Sequence, residues 1–184
     1  MISIATKQDA KSVIELLNLA MEDIAFSLSG TSNLEQSNQI LQEFFAQKGN
    51  RLSYENILVY RLDSKVVGAI CSYDGSISHK LDEPFIRRLI LLGKEPKIQP
   101  ECSAKELYID SLATDPNYQK RGIATKLIEA CFQKALNLGL DKVSLIVDTK
   151  KEKTKKYYES LGFAAVGKKC IANHEYTYMI KDLK

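Results

Sequence analysis

A mixed α/β fold is predicted by three features of this chain. Ile57 to Tyr60 and Val66 to Cys71 are apolar runs flanking Asp63-Ser64, the pattern of two antiparallel strands joined by a tight turn. Leu107 to Ala113, Gly122 to Leu138 and Val143 to Val147 read as strand, helix and strand, and a crossover of that length makes the two strands parallel neighbours with a right-handed connection. Size agrees, because 184 residues with 45% hydrophobic and 27% charged residues can bury a sizeable core within one domain spanning residues 1–184.

The elements follow in order. Ile2 to Ala5 is a short first strand, and Thr6 with Asp9 three residues later forms a capping-box pattern opening a helix to about Met21, with Val13, Leu16, Leu17 and Ala20 on its apolar face. Ser32 and Glu35 repeat that pattern before Ile40, Leu41, Phe44 and Phe45, a second helix that ends near Gly49. After the two hairpin strands, residues 74–105 carry no strand signal. Within them Asp82 as N-cap, Pro84 and Gly93 bracket a short helix from Phe85 to Leu92. A connection this long reads as an insertion that forms a lid or a wall of a pocket. The central strand, Leu107 to Ala113, leads into the Gly122 to Leu138 helix stopped by Gly139. Then come the Val143 to Val147 strand, a helix from Lys151 to Leu161 ending at Gly162, and late strands at Ala164 to Val166 and Tyr176 to Ile180.

Composition excludes several function classes. The net charge of +3 is too small for a polyanionic partner, so no nucleic-acid binding is expected and any basic function is local. No run of about 18 apolar residues and no basic-then-apolar leader is present, so neither membrane insertion nor export is expected and the compartment reads as cytoplasmic. Cys71, Cys102, Cys131 and Cys170 are widely spaced, and only His79 and His174 could join them, so no metal site or disulfide framework is expected.

The chemistry concentrates between Glu106 and Gly162. Leu112-Ala113-Thr114-Asp115-Pro116 ends a strand, and Gln119-Lys120-Arg121-Gly122-Ile123-Ala124 opens a helix. A strand that passes through a glycine turn into a helix aims unpaired backbone N–H groups and the positive end of the helix dipole at one point, where a phosphate can sit. Lys120 and Arg121 add mobile positive charge beside it.

The run Gln119 to Ala124 matches the Q/R-x-x-G-x-G/A acyl-CoA signature, and its setting, with the later Tyr158-Glu159-Ser160-Leu161-Gly162-Phe163, arrives in the order and spacing of one family. On these motifs and on the order of elements over nearly the whole chain, the sequence resembles the GNAT family of acetyltransferases. That resemblance implies an acyl-CoA N-acyltransferase fold: a central, mostly antiparallel sheet with a splayed parallel pair in its middle and helices on both faces. It further implies acetyl-CoA as co-substrate, its pyrophosphate on N–H groups of Lys120 to Thr125 and its pantetheine arm along the backbone of Leu112, Ala113 and Thr114. A backbone N–H at about Leu112 would polarise the thioester carbonyl. Tyr158 matches the position of a tyrosine that gives a proton to the departing thiolate. The resemblance departs at Lys151 and Thr154, where the family commonly has asparagine and alanine; within the charge run 150–156, Lys151 and Lys155 are the candidate coenzyme contacts.

An amine acceptor with a pKa near ~10.4 must lose a proton before or during attack. Strand alternation puts Glu106, Tyr108 and Asp110 on one side of the central strand, so Glu106 and Asp110 are the candidate bases and Tyr108 a candidate wall. The residues from Arg51 to Asn56, notably Tyr54 and Glu55, together with Asp23 and His174, are candidates for the acceptor mouth, an environment suited to a cationic amine. The expected activity is acetyl transfer to a primary amine of a small molecule by direct attack in a ternary complex, by a monomer or homodimer. A non-catalytic acyl-CoA-binding module and a protein lysine or N-terminal acetyltransferase remain alternatives.

Overall fold

The structure, a computed structural model, describes residues 1–96, 98–171 and 174–184. Among the described residues seven strands form a single sheet, β1 (Ile2–Ile4), β2 (Ile57–Leu62), β3 (Lys65–Asp74), β4 (Leu107–Thr114), β5 (Lys142–Asp148), β6 (Ala164–Ile171) and β7 (His174–Asp182), in the order β1-β2-β3-β4-β5-β7-β6. Every neighbouring pair is antiparallel except β4 with β5. Helices α1 (Ala10–Met21), α2 (Asp23–Ser29), α3 (Leu34–Phe45) and α4 (Ser78–Leu91) pack on one side, α5 (Ile123–Asn137) and α6 (Glu152–Ser160) on the other. The two cores are built accordingly. Val13, Leu17, Phe45 and Phe85 meet Ile57, Cys71 and Tyr108 on the first face, while Ile123, Leu127 and Cys131 meet Val67, Leu107 and Val143 on the second.

Local signals account for most of these boundaries. The Asp9 carboxylate accepts from the Thr6 backbone N–H at 2.7 Å and hydroxyl at 2.8 Å, and Arg61 reaches it from β2 at 2.7 and 2.9 Å. The Asp63-Ser64 turn takes positive φ at both residues, the twist that a two-residue hairpin loop requires. Helix α3 is capped by Asn33, whose side chain accepts from the Gln36 N–H at 2.9 Å, one residue later than Ser32. Helix α2 had no sequence signal of its own: Glu22 breaks the α1 register with φ of 48°, and a second short helix follows.

The segment 74–105 differs from its expectation. Helix α4 begins at Ser78, not near Asp82, and Pro84 lies inside it. Its apolar face, Leu81, Phe85 and Leu89, is buried, and the Phe85 ring stacks on Phe44 with centroids 4.0 Å apart. By its buried face this helix is part of the core. The segment's return is pinned at Gly75, whose N–H donates to the Glu106 carbonyl at 2.9 Å and where a Cβ would overlap the Ser103 carbonyl oxygen. Gly75→Ala is therefore expected to cost about 1–3 kcal/mol, because backbone and not a flexible side chain must move; a chemical denaturation curve with an unchanged midpoint would contradict this.

Candidate active site

The middle of the sheet opens where β4 bulges. Cys71 of β3 is opposite Ser111 and Ser72 is opposite Ile109, so Asp110 is the extra residue in β4. A bulge resets the alternation. Ile109 and Leu112 pack toward the α5 side, Tyr108 and Ala113 toward the α1 side, and Asp110 and Ser111 both face the α1 side between them. Beyond the bulge β4 also parts from β5. Their ladder holds only at Leu107↔Val143, Tyr108↔Ser144 and Ile109↔Leu145, although β4 runs on to Thr114 and β5 to Asp148. The Asp115 N–H donates to the Val67 carbonyl, so by the alternation of an antiparallel ladder the N–H groups of Leu112 and Thr114 point away from β3, toward the side that β5 has vacated.

A cleft of about 540 Å³ occupies this gap, with Asp110, Ser111 and Leu112 on one wall and Ile146, Val147 and Asp148 on the other. Below it lies a buried ionic cluster. Arg51, 2% exposed, donates to Asp110 Oδ2 through Nε at 2.8 Å, to Glu101 Oε1 through Nη2 at 2.9 Å and to Asp82 Oδ1 through Nη1 at 3.3 Å. Tyr73 donates to Asp110 at 2.8 Å and Tyr108 to Glu101 at 2.7 Å. Three carboxylates thus share one guanidinium. Burial pushes the Asp82 carboxyl up to about 6 against the pull of Arg51, and burial, with Glu101 nearby, raises Asp110 as well despite Arg51 and Tyr73.

Across the cleft stands Tyr158 of α6. Its ring meets Phe163 at 5.8 Å and Tyr157 at 5.6 Å, its hydroxyl has no protein partner among the described residues, and burial beside Tyr157 pushes the phenol up to about 12. The neighbouring Tyr157 hydroxyl instead meets the Thr125 hydroxyl at 3.0 Å, tying α6 to the first turn of α5.

The corner at Gln119, Lys120, Arg121 and Gly122 lies outside the cleft lining, on the surface at the N-terminus of α5. Gly122 is the N-cap, left-handed with φ of 73°, and no atom lies within 4 Å of where its Cβ would stand. Ile123, Ala124 and Thr125 begin the helix beyond it, and their N–H groups have no intrahelical acceptor. Arg121 rests over the Tyr118 ring at 5.1 Å. Of the two α6 lysines, Lys151 lines the cleft and pairs with Glu22 at 2.9 Å, whereas Lys155 lies 3.7 Å from Glu159 on the exposed face.

Several expectations are corrected by this geometry. Glu106 does not reach the cleft: its Oε1 accepts from the Ser103 N–H at 2.7 Å and from the Tyr178 hydroxyl, and it is buried. Tyr54 and Glu55 also lie elsewhere, Tyr54 against Phe45 and Lys7, and Glu55 in an exposed pair with Lys48. Tyr108 lies beneath the cleft, fully buried, with its hydroxyl on Glu101 and its ring against Tyr73. Asp110, Asp23, Arg51 and His174 do line it. Glu101, Asp148 and Tyr176 were missed. Glu101 reaches Arg51 across 50 residues from an irregular stretch, a placement for which the sequence carries no local signal.

Comparison with known proteins agrees with this geometry. The family model described as the GNAT acetyltransferase family matches residues 18–163. The solved N-acetyltransferase from Staphylococcus aureus Mu50 is 26% identical, with a TM-score of 0.84 over 98% of this chain and 99% of that one. PaiA N-acetyltransferase from Thermoplasma acidophilum, solved in complex with coenzyme A, shares the fold at 16% identity, with a TM-score of 0.59 over 99% of this chain and 98% of its own. A mycothiol acetyltransferase from Corynebacterium aurimucosum is 36% identical over 66 residues, 36% of this chain, and the match spans 21% of that relative's length. With the family match extending over most of its length and the splayed parallel pair at its centre, the chain belongs to the GNAT acetyltransferase family.

Proposed function

We propose that the protein transfers the acetyl group of acetyl-CoA to a primary amine of a small molecule, by direct attack within a ternary complex. The observation that carries this reading is the gap between β4 and β5, into which the Leu112 N–H points while Asp110 and Tyr158 stand on opposite sides. The residues present fit the co-substrate. The open space at left-handed Gly122 leaves room for a diphosphate against the N–H groups that run from Lys120 into the first turn of α5 at Thr125, with Gln119 and Arg121 beside it. The free edge of β4 from Leu112 to Thr114 offers main-chain partners to an extended arm. Bound there, acetyl-CoA supplies an activated acetyl thioester.

One main-chain group and two side chains then divide the work. The Leu112 N–H stabilises negative charge on the thioester oxygen, a term worth ~10²–10³ in rate where such donors have been removed elsewhere. Asp110, directly or through a water, takes the proton of the incoming ammonium, and its raised carboxyl is a better-matched base than an ordinary aspartate. Tyr158 donates to the sulfur as it leaves. Two further observations favour direct attack. The Cys71 thiol is buried and donates to the Arg51 carbonyl at 3.2 Å, and burial pushes Cys102 up to about 11; neither lines the cleft or favours a thiolate.

Thiol-release assays over an amine panel, paired with calorimetric titration of acetyl-CoA, test the reading. Binding without turnover on any amine would favour a non-catalytic module. Gly122→Ala is expected to raise the acetyl-CoA Kd by roughly tenfold, since alanine resists φ of +73° and a methyl group enters the diphosphate space. An unchanged Kd would place the diphosphate elsewhere.

A further inference from the structure

The cleft holds more negative charge than its own cations neutralise. Glu22, Asp23, Glu101, Asp110 and Asp148 line it, against Arg51 and Lys151. Arg51 is already divided among Asp110, Glu101 and the deeper Asp82, and Lys151 is engaged by Glu22. The excess lies at two depths. At the floor Asp110 and Glu101 adjoin Ser111, which is 6% exposed, lines the cleft and has a hydroxyl with no partner among the described residues. A buried acceptor left unpaired costs free energy until a donor arrives. At the mouth, Asp23 opens α2 and Asp148 ends β5, and Tyr176 of β7 lines the cleft with them. Burial raises the Tyr176 phenol, and the negative charge of Asp148, Glu101, Glu22 and Asp23 adds to that rise.

Resting on the acetyl-transfer reading, we propose that the acceptor is an alkyl diamine, one nitrogen delivered to Asp110 and Ser111 for reaction and the second held as an ammonium by Asp23 and Asp148 at the mouth. An ammonium donates three hydrogen bonds and accepts none, which matches a lining of carboxylates and an unpaired hydroxyl. A monoamine would surrender its only charge on reacting and leave the mouth uncompensated. An amino acid would bring a carboxylate into a negative field. In the step, Asp110 passes the first proton of the ammonium to water and takes the second as the C–N bond forms, Tyr158 gives one to sulfur as the C–S bond breaks and regains one as Asp110 discharges, and one proton per turnover is released to water. The remote ammonium is unchanged in the monoacetylated product.

The test compares tetramethylenediamine with aminobutanol, its isostere in which one amine is a hydroxyl. Calorimetric affinity and, with acetyl-CoA, kcat/KM are both measured. The diamine is expected to bind at least about tenfold more tightly and to be acetylated with at least about tenfold higher kcat/KM; the ratio should shrink with added salt. Asp23→Asn and Asp148→Asn should each reduce that ratio by about threefold or more. Equal affinity for the two compounds, or preference for a zwitterionic or peptide amine, overturns the proposal. Selective diamine binding without turnover of any amine would sustain it while removing the acetyl-transfer reading, so the two fail separately.

Discussion

Tyr158→Phe is expected to lower kcat by roughly 10²-fold or more while leaving the acetyl-CoA Kd within about twofold. The substitution is unusually clean. The ring packs on Phe163 and Tyr157, which phenylalanine preserves, and the hydroxyl bonds no protein group among the described residues, so its removal orphans nothing. With its phenol near 12 the side chain is fully protonated at neutral pH and enters each turnover as a donor. Transient and steady-state thiol release, with calorimetry on the same samples, separates chemistry from binding. Equal rates in the two proteins would take Tyr158 out of the reaction.

Arg51→Met is expected to destabilise the fold by about 3–5 kcal/mol, the range for stranding a buried charge partner. Here the remainder is worse than one orphan, since Asp82, Glu101 and Asp110 would face one another without their shared cation. The pH dependence has a definite sign. The Asp82 carboxyl is raised from 3.8 to about 6, so between those values the folded chain holds more protons than the unfolded one and stability falls as pH rises. Without Arg51 the carboxyls rise further, so the deficit should widen toward neutrality and narrow toward pH ~4. Arg51→Lys should recover only part, because a point charge cannot fork to three partners. Urea denaturation of the three proteins across pH measures this; an Arg51→Met protein as stable as its parent at pH ~7 would show that the cluster is held together by its surroundings.

What could be read beforehand follows from how local the cause was. The Thr6–Asp9 cap, the Asp63-Ser64 turn and the Gly122 corner depend on neighbours a few residues apart, and each stands where its spacing put it. Alternation placed Tyr108 and Asp110 on the correct face, but it could not tell that Glu106 would be absorbed by Tyr178 from β7. Asp82 had the look of a helix cap because aspartate is a favoured N-cap and Pro84 follows where a first turn would stand; in the fold it is a buried partner of Arg51. Glu101 and Asp148 joined the cleft only through long-range closure of the sheet. Residues 172 and 173 lie outside the described residues, and His174 is placed at the start of β7 and on the cleft.

The parting of β4 from β5 leaves raw strand edge in the interior of a sheet, where most proteins keep theirs at the rim and must guard it. An outer border invites any extended polypeptide to dock and propagate. This one is fenced by the side chains of the two strands that flank it, so only a slim, extended chain can lie along it. The same omission of a few rungs therefore creates adhesive backbone and screens out the partners that would make it hazardous.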